Sequence, residues 1–278
     1  MHPLMNQLIQ LQELIVIRDE QKVAGESEHL ERLDASIKTM IAELPPPTRL
    51  LHGKLFSKDH NVLSPVSSGI CAVCGMKLPI SLVQAVRLGR EVHSCPNCAR
   101  MLYYQDVAAR RLAEAARKIG PRKVGIVRFS SEALMIPNLV SGDRDGVIAE
   151  MAYQMANEGF VDKAEPLIEE ALRREALVST AMNHGLALPH VRGVEGGGLT
   201  LALGLSAKGI KFDPARKVVS RMIFFIVIPT AASAFYLKLL AGLAETFSDS
   251  EARKSVQECK DAATMWKTLI KVTRATIK

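Results

Sequence analysis

Two sets of residues in this 278-residue chain have the types and spacing for chemistry. The first is an imidazole with a guanidinium. His190 directly follows Pro189 and closes the short apolar run Leu186-Ala187-Leu188; Arg174 ends a helical stretch upstream, with Ser179 and Thr180 in the loop between. The proline fixes the backbone just ahead of the histidine. A neutral imidazole nitrogen is a nucleophile near neutral pH, and an arginine offsets charge on the equatorial oxygens of a phosphoryl group in transfer. The pattern therefore suits phosphoryl transfer, although on spacing alone a histidine at a strand end is more often just a satisfied polar group.

The second set is four thiols. Cys71 and Cys74 are separated by two residues, as are Cys95 and Cys98, and Gly75 follows the first pair. Each pair curls into a knuckle that holds an ion from one side, and two knuckles complete the tetrahedral four-sulfur shell that zinc accepts. A redox pair or an iron site uses the same residues, but structural zinc fits the double spacing best. A closed shell leaves no position for substrate, so this metal should hold the fold. His93 is expected outside the shell, and Cys259, alone on a helical stretch, inside the packing.

The elements that must position these groups follow from periodicity. Leu4, Leu8, Leu11 and Ile15 recur at helical spacing, as do Leu30, Leu33, Ile37, Met40 and Leu44, so residues 1–48 read as a helical hairpin ended by Pro45-Pro46-Pro47. Its apolar seam needs a further surface, from the same protein, from a second copy or from a partner helix. Residues 62–104 carry the cysteines, and 105–128 read as a basic linker helix stopped at Gly120-Pro121. Beyond it, helical periodicity over Gly146 to Asn157 and Ala164 to Arg174 is followed by strand-like runs at Leu186 to Leu188, Leu199 to Leu205 and Met222 to Ile228. Three helical stretches begin near Ala234, Glu251 and Ala262. That order predicts an α/β domain over 129–278, a mixed sheet flanked by helices with the reactive residue near strand ends. The chain thus reads as multidomain.

Composition narrows the function classes. With 48% hydrophobic and 23% charged residues the chain is globular material, and its most apolar run is too short to span a bilayer. No secretory signal is evident, so a cytoplasmic location is expected. The net charge of +7 permits acidic partners, nucleic acid included, but is more simply a solvated surface.

The run from Arg174-Glu175 through Ser179-Thr180 to Gly185-Leu186-Ala187-Leu188-Pro189-His190 resembles the phosphorylation-site segment of the type-2 EIIA domains of the bacterial sugar phosphotransferase system, the fructose, mannitol and nitrogen-regulatory group. The resemblance extends over residues 129 to 278. It implies that His190 accepts a phosphoryl group from an HPr-like donor, with Arg174 nearby, and passes it to a cysteine of a separate EIIB or acts on a regulatory protein. Many members carry a second histidine in an E-H-L sequence where this chain reads Ala234-Phe235-Tyr236-Leu237. Tyr236 donates a hydrogen bond but carries no proton charge at neutral pH. Residues 68–79 and 94–103 resemble the bacterial C4-type zinc ribbon found at the end of coiled-coil hairpin proteins, here with a shorter helical arm.

These readings combine into a cytosolic regulatory protein phosphorylated on His190, with Thr180 and Tyr236 bonding the phosphate and the ribbon and hairpin contacting a partner. Two alternatives stand beside it. One is an unphosphorylated, zinc-dependent adaptor or nucleic-acid binder; the other is a sugar-transport component that passes phosphate to an EIIB on another polypeptide.

Overall fold

The computed structural model describes residues 3–25, 30–104, 124–194, 198–214, 219–229 and 233–278. Most of the basic stretch predicted as a linker helix, residues 105–123, lies outside them. The chain divides into two compact units, Met1–Val107 and Ala108–Lys278.

In the first unit the two predicted helices are α1 (Pro3–Val23) and α2 (Leu30–Glu43). The prolines after α2 end it and start another helix, α3 (Pro46–Phe56), with Pro45 at the N-cap; a proline in the first turn loses no hydrogen bond because that amide has no helical partner. Then come β1 (Leu63–Ser67), β2 (Ile70–Cys71), α4 (Ile80–Leu88), β3 (His93–Ser94) and β4 (Met101–Tyr104). The strands order as β2-β1-β4-β3, with β1 and β4 parallel and the outer pairs antiparallel. The hairpin seam is covered from within the unit: Leu8, Leu11, Ile15 and Ile37 share one buried cluster with Val62, Leu63 and Met101. A second cluster, Val66, Leu78, Val86 and Leu102, encloses Cys71 and Cys95.

The second unit opens with single 3-10 turns and a short strand β5 (Met135–Ile136), then α5 (Arg144–Asn157) and α6 (Glu165–Leu177). Asp143 caps α5 by accepting from the Gly146 amide at 2.9 Å, and Val147, Ile148, Met151, Ala152 and Met155 form its buried stripe. The strands β6 (Ala181–Met182), β7 (Leu186–Ala187), β8 (His190–Val194), β9 (Thr200–Ile210) and β10 (Ser220–Pro229) follow, then α7 (Ser233–Ser248), α8 (Ser250–Gln257) and α9 (Ala262–Thr273). Among the described residues these make a mixed six-stranded sheet. Every side chain from Met222 to Ile228 is buried, as a central strand covered on both faces requires. β9 runs antiparallel along one edge of β10, while β7 and then β8 line the other edge in parallel, pairing Leu186 with Met222 and His190 with Ile226. His190 therefore lies toward the carboxyl end of the central strand, and α7 starts just beyond that end.

Candidate functional site

His190 is held by what precedes it. Pro189 offers no amide, and its carbonyl accepts from Ile226 N at 3.0 Å, docking the start of β8 onto β10. Leu188 N donates to the Thr180 carbonyl at 3.1 Å, and the Leu188 carbonyl lies 3.1 Å from His190 Nδ1. A carbonyl only accepts, so Nδ1 carries the proton and the nucleophilic lone pair of the neutral ring is on Nε2. The turn between β6 and β7 needs two left-handed residues, His184 (φ 63°) and Gly185 (φ 73°). A Cβ on Gly185 would stand 3.2 Å from the Val219 carbonyl, so glycine is required there.

The ring is enclosed, with His190 only 2% exposed. Tyr236, on the first turn of α7 and itself 1% exposed, packs on it with ring centroids 5.2 Å apart and tilted by 37°. The Tyr236 hydroxyl lies 3.4 Å from Nδ1, on the side away from the nucleophilic nitrogen. The guanidinium of Arg192 sits over the Tyr236 ring, 4.8 Å from its centroid.

Arg174 lies in the last turn of α6, which packs against β8, and donates through Nη1 to the Val178 carbonyl at 2.8 Å. Its neighbour Glu175 is the residue that sequence reasoning passed over. It is buried and accepts from Ser179 Oγ at 2.9 Å, Thr180 N at 2.9 Å and Thr180 Oγ1 at 2.6 Å. The Thr180 hydroxyl proton thus points at Glu175. A carboxylate one position beyond an arginine, followed by a hydroxyl pair, was the available signal. Arg192 was visible two residues after His190 but had no predicted role.

In the first unit, Cys71, Cys74, Cys95 and Cys98 bring one sulfur each within 4.8 Å of all the others, a group able to hold a metal ion. His93 is not part of it. The Cys71–Cys98 and Cys74–Cys95 sulfur pairs are 3.8 and 3.7 Å apart, close to the edge of about 3.8 Å expected of a tetrahedron with zinc–sulfur bonds of about 2.3 Å. Ser64 Oγ lies 3.1 Å from Cys71 Sγ, and Arg100 bonds Cys98 and Asp59. Burial pushes the Cys95 thiol up to about 12. Burial raises Cys74 too, but the Met76 amide, Asn97 and the neighbouring cysteines outweigh it and bring that thiol down to about 6. Before metal binds, Cys74 thus gives up its proton more readily than Cys95. Cys259 is buried with its thiol 3.3 Å from the Ser255 carbonyl, as packing requires.

A cavity of about 350 Å³ is lined by Asn138–Gly142 and Ser206–Ile210, and no predicted site residue lines it. No helix among the described residues is long and apolar enough to cross a membrane.

Comparison with known proteins adds family to geometry. Residues 128–272 match the family model of the phosphoenolpyruvate-dependent sugar phosphotransferase system, EIIA 2, and residues 70–102 match the C4-type zinc ribbon domain. The fructose-specific EIIA component of Haloferax volcanii is 25% identical over 46% of this chain and 84% of its own length. A nitrogen regulatory protein of Pseudomonas aeruginosa is 26% identical over 49% and 88%. The fructose-specific EIIABC component of Bacillus subtilis, 25% identical, is matched over only 19% of its length. Among solved structures, the nitrogen regulatory protein IIA-Ntr of Neisseria meningitidis aligns with a TM-score of 0.48 and 23% identity over 52% of this chain and 98% of its own.

Proposed function

Because the chain belongs to the EIIA 2 family of the phosphoenolpyruvate-dependent sugar phosphotransferase system, we propose that it is a cytoplasmic regulatory protein that accepts a phosphoryl group on Nε2 of His190. The donor is the phosphohistidine of an HPr-like protein. The Nε2 lone pair attacks phosphorus as the donor's P–N bond breaks, and that bonding pair returns to the donor imidazole. The proton on Nδ1 stays against the Leu188 carbonyl throughout. The observation that carries this reading is the Nδ1 contact at 3.1 Å, which sets the tautomer in which Nε2 is the nucleophile.

Arg174 and Glu175 act on this site as a frame. Arg174 ties the end of α6 to Val178, and Glu175 gathers Ser179 and Thr180, so the strand leading to His190 starts from a fixed point. A phosphoryl group on the ring adds close to two negative charges. That charge changes which surface an EIIB or regulatory acceptor meets, and the partner, once docked, reads the phosphorylation state.

The first unit carries a structural zinc ion on Cys71, Cys74, Cys95 and Cys98. The donor set is complete and closed, so the ion supplies fold stability and the unit serves for partner binding through its ribbon and helices.

A second reading is favoured by the burial of the ring. With His190 2% exposed, the EIIA unit works without phosphorylation as the binding module of a zinc-dependent adaptor. Incubation with phosphoenolpyruvate, enzyme I and HPr separates the two. The first reading expects one acid-labile phosphoryl group per chain, absent in His190→Ala. Wild type that stays unlabelled leaves the adaptor.

A further inference from the structure

Arg128 closes the 3-10 turn Gly125–Arg128 and is exposed. Its guanidinium lies over two rings, 5.3 Å from the centroid of Phe129 and 5.8 Å from that of Phe235. Among the described residues it has no hydrogen bond or ion pair. Phe235, on the first turn of α7, is 50% exposed, so half of that ring is open to a partner. Lys238, three residues further along α7, is exposed as well and shares that side of the helix.

This platform stands beside the candidate acceptor. Leu201 N donates to the Phe129 carbonyl at 2.7 Å, and Ser130 Oγ donates to the Leu201 carbonyl at 2.7 Å. Leu201 pairs with Ile226, and Ile226 with His190. Three lateral steps of about 4.8 Å thus separate Phe129 from His190, about 14 Å across the sheet. Phe235 is also the direct neighbour of Tyr236, which packs on the imidazole. An interface of ordinary size takes about 800 Å² from each partner, a patch about 30 Å across. A protein that docks over His190 therefore reaches Arg128 and Phe235 too.

From this arrangement we infer that Arg128, laid on the Phe129 and Phe235 rings, is a docking anchor for the phosphoryl-donating protein, and that the donor meets it with a carboxylate. The inference rests on the phosphoryl-acceptor reading and adds a partner-facing surface to it. An aromatic face holds a guanidinium in place without neutralising it, so part of the cost of ordering a long side chain is met before the partner arrives. The edge of the planar fork keeps its N–H donors, and a carboxylate accepts two of them in parallel bonds. A basic group at the same place would be repelled by Arg128 and Lys238, so charge selects among HPr-like donors. Arginine and aromatic side chains are those that concentrate binding energy in an interface.

Two donors separate docking from chemistry: phospho-HPr, which needs the interface, and phosphoramidate, a small molecule that does not. Arg128→Gln should lower kcat/KM for labelling by phospho-HPr about tenfold, mostly through KM, while the phosphoramidate rate stays within twofold of wild type. Arg128→Lys should recover part of the loss, since it keeps the charge without the fork. Phe235→Ala should lose about as much as Arg128→Gln and add little to it in the double variant, because both remove one anchor. Raising the salt concentration should slow wild type more than Arg128→Gln. An Arg128→Gln variant that takes label from phospho-HPr within twofold of wild type or faster, or that slows equally with both donors, overturns the inference and leaves the acceptor role of His190 standing. Wild type labelled by phosphoramidate but not by phospho-HPr does the same. Wild type that takes label from neither overturns both.

Discussion

The two chemical sites of this chain are built in opposite ways. The four thiols come from two knuckles within one stretch of the sequence, and each knuckle is complete in itself: Gly75 N closes on the Cys71 carbonyl at 2.8 Å and Ala99 N on the Cys95 carbonyl at 2.9 Å. The imidazole site is assembled from α6, the β6–β7 turn, β8 and the start of α7, and none of these holds His190 alone. A local site announces itself in the spacing of like residues. A distributed one shows only its most constrained part, here the Pro189-His190 corner. The energetics should divide the same way, with metal dominating the first unit and sheet packing the second.

Metal removal is the largest test of that division. A structural zinc ion contributes on the order of 10 kcal/mol to a small domain, while clusters such as Val66, Leu78 and Val86 beside Cys71 and Cys95 are small. Stripping the ion with a strong chelator should abolish amide-exchange protection across β1 to β4. Trp266, the sole tryptophan, lies in α9 of the second unit, so its fluorescence unfolding curve should stay where it was. A Trp266 transition that moves with the metal would mean that the two units share one folding equilibrium.

Glu175 is the corresponding test for the imidazole site. Glu175→Ala leaves a backbone amide and two hydroxyls without their acceptor at a buried position, an expected loss of about 3 kcal/mol. Glu175→Gln keeps one acceptor oxygen and should lose about 1–2 kcal/mol. Both are read by the Trp266 transition in denaturant. An alanine variant as stable as wild type would remove Glu175 from the frame of the site.

The legible and illegible parts of the molecule follow the same split. Helices α5 and α6, the strands around Leu186, Leu201 and Ile226, and the three closing helices show in the sequence because their apolar periods of 3.6 and 2 are long enough to distinguish. Helix α3 does not, because its three prolines read as a stop and only the geometry shows that the same residues open the next helix. The seam of α1 and α2 was visible, but its covering surface was not: Val62, Leu63 and Met101 are brought to it by tertiary folding. At the site, Pro189-His190 stood out, while the packing of Tyr236 on His190 and under Arg192 exists only with α7 folded back onto β8. The enclosure of His190 follows from that return as well, since a chain read in order gives no sign of which later residue will cover an earlier one.

The smallest effect sharpens the comparison within the metal site itself. The two knuckles are alike in backbone, and each ends in a left-handed residue, Gly75 at φ 75° and Ala99 at φ 60°. Glycine adopts that region freely, whereas a side chain there is unfavourable by about 1–2 kcal/mol. A Cβ at Gly75 meets nothing within 4 Å, so Gly75→Ala isolates backbone strain from steric clash and should weaken metal retention by about 1 kcal/mol, close to fivefold in a competition with chelator. Ala99→Gly relieves the same strain but loosens the unfolded chain by roughly 0.5–1 kcal/mol, leaving a net gain below about 1 kcal/mol. Opposite signs for the two variants would locate the strain at the knuckle corners; equal signs would place the difference between the knuckles in their neighbours, Ser64 at Cys71 and Arg100 at Cys98.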